Sequence, residues 1–146
     1  MSLDTEIRLH IYRRFAEEGR PPSVDQAAEA LDASPADVEA AYRRLAEGRV
    51  IVLEPGTADI WMANPFSAVP TSFRVQASDR WWWGTCAWDA PGILAMLDVD
   101  GTITSSCADC GEAIELRVES GRLQSAEAVG HFAVPAARWW EDIGYT

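Results

Sequence analysis

The sequence contains no lysine: all 12 of its basic residues are arginines, set against 23 acidic residues. The absence of lysine is read as codon usage rather than chemistry, but the resulting formal net charge of −11 works against a partner as anionic as a nucleic-acid backbone. Cysteine is scarce and odd in number, with Cys86, Cys107 and Cys110 alone. That set does not make a secreted disulfide framework and suits reduced thiols used for metal or redox chemistry. No apolar run approaches the roughly 20 residues of a membrane span, and the N-terminus has no signal-peptide hydrophobic stretch. These absences lead to the expectation of a soluble, cytoplasmic protein without a membrane partner. Internal repeats and low-complexity tracts are also missing.

What is present is apolar mass. Of 146 residues, 48% are hydrophobic and seven are tryptophan, enough for one compact unit or two small ones sharing an interface. Residues 4–18 carry Ile7, Leu9, Ile11, Tyr12 and Phe15 near helical spacing, with Asp4 or Thr5 as the expected cap. Gly19-Arg20-Pro21-Pro22 ends that helix and Ser23 starts a second. Ser34-Pro35 opens a third with a cap followed by proline at its first position, and Gly48 closes it. Val50–Leu53, the turn Glu54-Pro55-Gly56 and Ile60-Trp61-Met62 predict a hairpin.

Three helices and a hairpin make a winged-helix-like module over residues 1–62. Its third helix opens with Asp37 and Glu39, whereas its arginines Arg43, Arg44 and Arg49 sit late. A groove-reading helix usually presents polar or basic groups at its N-terminal end, so a packing or dimerisation role is favoured over DNA binding. Residues 63–146 are expected to form a second unit, a mixed β-sheet with short helices. Strands are expected at 72–75, 101–105, 114–118 and 126–134, a buried helix at 86–97 and a short final helix at 135–143. The fold class is therefore α+β.

The densest chemistry lies in Trp81-Trp82-Trp83-Gly84-Thr85-Cys86-Ala87-Trp88-Asp89-Ala90. If this segment is helical, Cys86 and Asp89 share a face at i and i+3. A thiol is a soft metal ligand or nucleophile, and a half-buried carboxyl can carry a proton at neutral pH. The plainer alternative makes Cys86 a small buried hydrophobe and Asp89 a helix-start cap. Cys107-Ala108-Asp109-Cys110-Gly111 has the shape of half a zinc knuckle, either a soft-metal site in want of two more ligands, with His131 or Cys86 as the candidates to complete it, or simply a tight turn. His131 sits in an alternating stretch and is either a satisfied half-buried residue or a ligand; His10 looks incidental.

Taken together, Asn64-Pro65-Phe66-Ser67, the Trp-Gly-x-Cys-Ala-Trp-Asp-Ala run at 83–90, Cys107-x-x-Cys110-Gly111 and His131-Phe132-Ala133-Val134-Pro135 resemble the alkylmercury (organomercurial) lyase family. The resemblance implies protonolysis of a carbon–mercury bond, releasing hydrocarbon and Hg(II). Cys86 then takes mercury as a thiolate and Asp89 delivers the proton, with Trp82, Trp83, Trp88 and His131 around the substrate. Mercury is substrate here, no organic cofactor is implied, and a small organometallic or thiol-conjugated compound is the expected partner, with a second copy of the chain as a further candidate. The sequence departs from the family in one respect. Where the best-known lyases carry a second mercury-binding cysteine, this chain has Ser125-Ala126-Glu127-Ala128. Some relatives place a cysteine just beyond a Trp-Trp-x-Asp-Ile-x-x-Thr stretch, which here ends the chain at Thr146. The alternatives are a truncated lyase, a lyase using Cys107 or Cys110 instead, a soft-metal or small-ligand binder without turnover, and a metal-sensing winged-helix regulator.

Overall fold

A computed structural model describes residues 1–124 and 127–145. Three helices lead: α1 (Leu3–Glu18), α2 (Val24–Leu31) and α3 (Pro35–Glu47). Each begins on a serine whose hydroxyl accepts a first-turn N–H, satisfying a donor the helix itself leaves unpaired. For α1 that serine is Ser2, not Asp4 or Thr5; the two expected caps lie inside the first turn, where Asp4 instead pairs with Arg44 of α3. At Ser23 the cap is reciprocal, since Gln26 reaches back to the Ser23 N–H. Gly19 closes α1 at φ 71°, a left-handed conformation that glycine adopts without strain.

The remaining chain forms β1 (Val52–Leu53), β2 (Ile60–Ala63), β3 (Phe66–Ser67), β4 (Arg74–Ala77), β5 (Arg80–Gly84), helix α4 (Asp89–Leu97), β6 (Gly101–Ser106), β7 (Ala113–Glu119), β8 (Arg122–Gln124) and a 3₁₀ turn at Ala136–Glu141. The strands join in one sheet ordered β1-β2-β3-β5-β4-β6-β7-β8. The sheet therefore runs across the residue 62/63 boundary expected between two units.

Every strand pairing is antiparallel, which corrects the expected mixed sheet. The reason lies in the crossover through α4. β5 and β6 do run the same way, as a strand–helix–strand connection dictates, but β4 lies between them and pairs antiparallel with both. The strand expected over 126–134 is likewise not formed across 127–134. Residues 127–133 are exposed, so the alternation there has no buried face to pin it; Ser125 and Ala126 lie outside the described residues. The eighth strand is β8 instead, turned back on β7 through Ser120-Gly121, both at positive φ as a two-residue hairpin loop requires.

One core joins the helices to the sheet. Ile7, Ile11 and Phe15 of α1, Val38, Ala41 and Tyr42 of α3, Phe66, Val75, Ile93, Leu94 and Ile103 are all at most 1% exposed. Burial of each of the larger aliphatic and phenylalanine side chains among them contributes about 1.5–3 kcal/mol. Phe15 stacks on Phe66 at 5.2 Å, and the Trp82 indole N–H donates to the Phe15 carbonyl at 2.8 Å. Both contacts fasten α1 to the strands that carry the site.

Candidate functional site

The site grows from the end of β5. Phe66 pairs with Gly84, and the Gly84 N–H donates to the Phe73 carbonyl at 2.9 Å, so β5 ends firmly between two neighbours. The chain then turns through Thr85 and Cys86, and the Ala90 N–H closes on the Cys86 carbonyl at 3.1 Å. Helix α4 starts at Asp89, later than the expected 86, so Cys86 sits in the turn before the helix. Its i+3 relation to Asp89 still brings them together because that turn is itself helical in curvature. Pro91 falls in the first turn of α4, where its missing N–H has no partner to lose. Gly84 makes the arrangement fit: it has no side chain where Ala90 packs against it.

Cys86 is half-buried, and its sulfur lies 3.6 Å from Asp89 Oδ2, toward which the thiol donates. The Thr85 hydroxyl donates to the same oxygen, fixing the carboxyl rotamer. Burial pushes the Cys86 thiol above its ordinary pKa; the N–H groups of Asp89 and Trp88 bonded to the sulfur offset only part of that, and the Asp89 charge adds to the rise. The resting group is therefore a thiol already aimed at a carboxyl oxygen. Tyr12 of α1 donates to the Asn64 carbonyl at 3.1 Å and to the Val50 carbonyl at 3.4 Å, holding the connector beside Asp89. Its hydroxyl is pushed up in pKa by burial first and by the Asp89 carboxylate to a lesser degree.

Two cavities open onto Cys86. The first contains Asp89 and Thr85, floored by Met62 and Asn64 and roofed by Phe132, Trp139, Ile143 and Gly144. The second is lined by His131, Phe73, Ala87 and Tyr145, and shares Phe132 and Trp139 with the first. The shared wall is a pair of tilted rings 5.2 Å apart, steadied by the Trp139 indole N–H on the Val134 carbonyl at 2.7 Å. The roof segment is tied back to the rest of the fold: Arg49 lies 5.4 Å over the Trp140 ring, and Gly144 rests against Trp61 where a Cβ would come within 2.5 Å of the indole.

Cys86 and Asp89 are thus brought together, and His131 lines the second cavity along with Cys86. The tryptophan wall is corrected. Trp82 points into the core with 3% exposure, Trp88 is 73% exposed, and Trp83 sits on the opposite sheet face from Trp82, edge-on to Trp81. Strand alternation explains the first and third, since Trp82 and its neighbours must face opposite ways; Trp88 falls in the turn before α4 and projects outward. The aromatic wall comes instead from Phe132 and Trp139, and Thr85 is a further contributor. Thr85 carried a signal in its spacing, four residues ahead of Asp89; the distance in sequence from Cys86 to Trp139 offered none. Cys107 and Cys110 lie at the tip of the β6–β7 hairpin and line neither cavity. Among the described residues no group of three or more His, Cys, Asp or Glu side chains is placed to hold a metal ion, and no helix there is long and apolar enough to cross a membrane.

Comparison with known proteins gives two findings. The alkylmercury lyase family, MerB, matches residues 66–146. Among solved structures, the mercury-bound form of MerB2 superposes with a TM-score of 0.64 at 24% identity, over 84% of this chain and 58% of that one. The chain thus spans less than two thirds of that relative's length. No curated protein sequence matches it.

Proposed function

The chain belongs to the alkylmercury lyase family, and from that premise we propose that it cleaves carbon–mercury bonds by protonolysis, with Cys86 as the mercury ligand and Asp89 as the proton carrier. The observation carrying this reading is the thiol–carboxyl contact of 3.6 Å at the mouth of an apolar cavity. As the Cys86 sulfur binds the mercury of R–Hg–X, its proton passes to Asp89 Oδ2. The carboxylic acid then protonates carbon, the carbon–mercury electron pair becomes the new carbon–hydrogen bond, and Asp89 returns to carboxylate. Atoms balance as R–Hg–X plus Cys86 thiol giving R–H plus Cys86–S–Hg–X. The raised thiol pKa suits this sequence, because the proton to be delivered is retained on sulfur until mercury arrives.

Thr85 orients Asp89, and Phe132 with Trp139 supplies an apolar wall beside the developing carbanion-like carbon. Thiolate donation to a soft metal weakens the bond to be broken. The three helices and the β1–β2 hairpin support a winged-helix-like description of the N-terminal part, used here for packing: α1 supplies Phe15 and Tyr12 to the strands and connector of the site.

Incubation with phenylmercury and excess small thiol, with benzene measured, tests the proposal. Wild type releases benzene; Cys86→Ser and Asp89→Asn do not, the loss of the acid alone costing about 100- to 10,000-fold. A second reading, a mercury-binding protein without turnover, is favoured by one observation: Cys86 is the one thiol lining either cavity. Mercury held through Cys86 with no benzene released would establish that reading instead.

A further inference from the structure

The β6–β7 hairpin ends in a turn unlike an ordinary loop. The Cys107 N–H donates to the Glu112 carbonyl at 2.8 Å and the Gly111 N–H returns to the Cys107 carbonyl at 2.9 Å. Gly111 makes this closure at φ 76°, with open space around it. Cys107 and Cys110 are three residues apart within this closed turn, both thiols are free, Cys107 is partly exposed and Cys110 exposed. Asp109 and Glu112 flank them, a setting that favours a cation.

The hairpin tip also lies at the same end of the sheet as Cys86. Arg74 of β4 pairs with Trp83 of β5 on one side and Thr104 of β6 on the other. Cys86 and Cys107 each follow three residues beyond those partners. With one strand between them, β5 and β6 run about 10 Å apart.

We propose that Cys107 and Cys110 form a two-thiolate soft-metal site that takes Hg(II) from Cys86. Two donors are too few for structural zinc, which closes a four-ligand shell. They are enough for Hg(II), which binds two thiolates in a near-linear arrangement. The inference rests on the lyase reading for the source of Hg(II): protonolysis leaves the ion on a single protein sulfur, and a neighbouring pair outcompetes one sulfur because its second bond forms within the molecule. The exchange is balanced without redox change. Cys86–S–Hg–X and two thiols give Cys107–S–Hg–S–Cys110, one proton returns to the Cys86 sulfur and the other leaves with X.

The test uses the full chain and Hg(II) chloride alone, so it does not depend on carbon–mercury cleavage. Wild type is given one equivalent of Hg(II), its free thiols are alkylated with iodoacetamide, and the modified cysteines are mapped by mass spectrometry. The expected result is alkylated Cys86 with Cys107 and Cys110 protected. Protected Cys86 with an alkylated pair overturns the proposal. In parallel, Cys86→Ser retains one Hg(II) per chain against excess 2-mercaptoethanol, and Cys86→Ser/Cys110→Ser holds it about 100-fold less tightly. Equal retention by the two, or one Hg(II) bridging two chains, also overturns it. Cys86→Ser/Cys107→Ser gives an independent second variant, and circular dichroism confirms that each is folded. Benzene release from phenylmercury is read separately, so failure of the lyase reading is distinguished from failure of this one.

Discussion

Replacing Gly84 with alanine should damage the site without altering any group that lines it. Gly84 is buried at the end of β5, and an added Cβ would lie 2.9 Å from Ala90 Cα, 3.0 Å from its Cβ and 3.1 Å from its N. Those atoms are backbone or fixed to it, so no side-chain rotation relieves the contact and β5 must part from the start of α4. Thr85, Cys86 and Asp89 all lie in the segment between. Overpacking of this kind costs about 1–3 kcal/mol, which lowers the melting temperature of a chain this size by roughly 3–10 °C. A displacement of about 1 Å at the reacting groups reduces turnover on the order of 100-fold. Gly92→Ala is the matched control. It lies inside α4 with only Pro65 Cβ at 3.8 Å, an ordinary contact, and alanine should stabilise the helix there by about 0.5–1 kcal/mol. Urea titration and benzene release from phenylmercury are measured on both variants. A Gly84→Ala protein as stable as wild type would refute the close approach; one that is destabilised yet fully active would refute its bearing on the site.

Thr85→Val removes the hydroxyl that orients Asp89; hydrogen bonds to charged groups contribute about 1.5–3 kcal/mol, so benzene release should fall roughly 10- to 150-fold, and unchanged turnover would exclude that role. Trp82→Phe loses the indole bond to the Phe15 carbonyl and some core volume, and should cost about 1–3 kcal/mol in urea titration. Trp88→Ala should lie within about 0.5 kcal/mol of wild type, since its ring is exposed; the reverse order would restore the tryptophan wall. Iodoacetamide mapping of the metal-free protein near pH 8 should modify Cys107 before Cys86. Backbone N–H groups lower the first thiol's pKa while burial raises the second's. Because the folded chain holds the Cys86 proton more tightly than the unfolded one, the contribution of this thiol to stability is present below the ordinary thiol pKa. It is lost as pH rises through the raised value.

The helices were legible because their signals are local. Ser23, Ser34-Pro35, Gly19 and Gly48 each mark an end within a few residues, and α2 and α3 lie within a residue of the expected starts. The pairing of Cys86 with Asp89 was legible for the same reason, three residues being a short arc of backbone. Strand partners and cavity walls were not. No local pattern says that β4 inserts between β5 and β6, and the run Trp81–Trp83 reads as a wall until alternation sends Trp82 into the core. Phe132 and Trp139 reach Cys86 from more than forty residues away, so only the closed fold puts them there. Of the stretch Ser125-Ala126-Glu127-Ala128, where the best-known lyases carry a second cysteine, Ser125 and Ala126 lie outside the described residues, as does Thr146.

The bond from Trp82 to the Phe15 carbonyl joins positions 67 residues apart. Local helices form quickly, whereas contacts this distant close late because the intervening loop must first be brought together. During folding, α1 can exist while the strand leading to Cys86 is still unanchored. In that interval all three thiols are open to any mercurial in solution, and a ligand that binds the unfolded chain opposes folding. The chain is thus most open to mercurials just after synthesis, before the Trp82–Phe15 contact forms. Refolding with and without phenylmercury would expose that window as a slowed or aborted phase that vanishes once folding is complete.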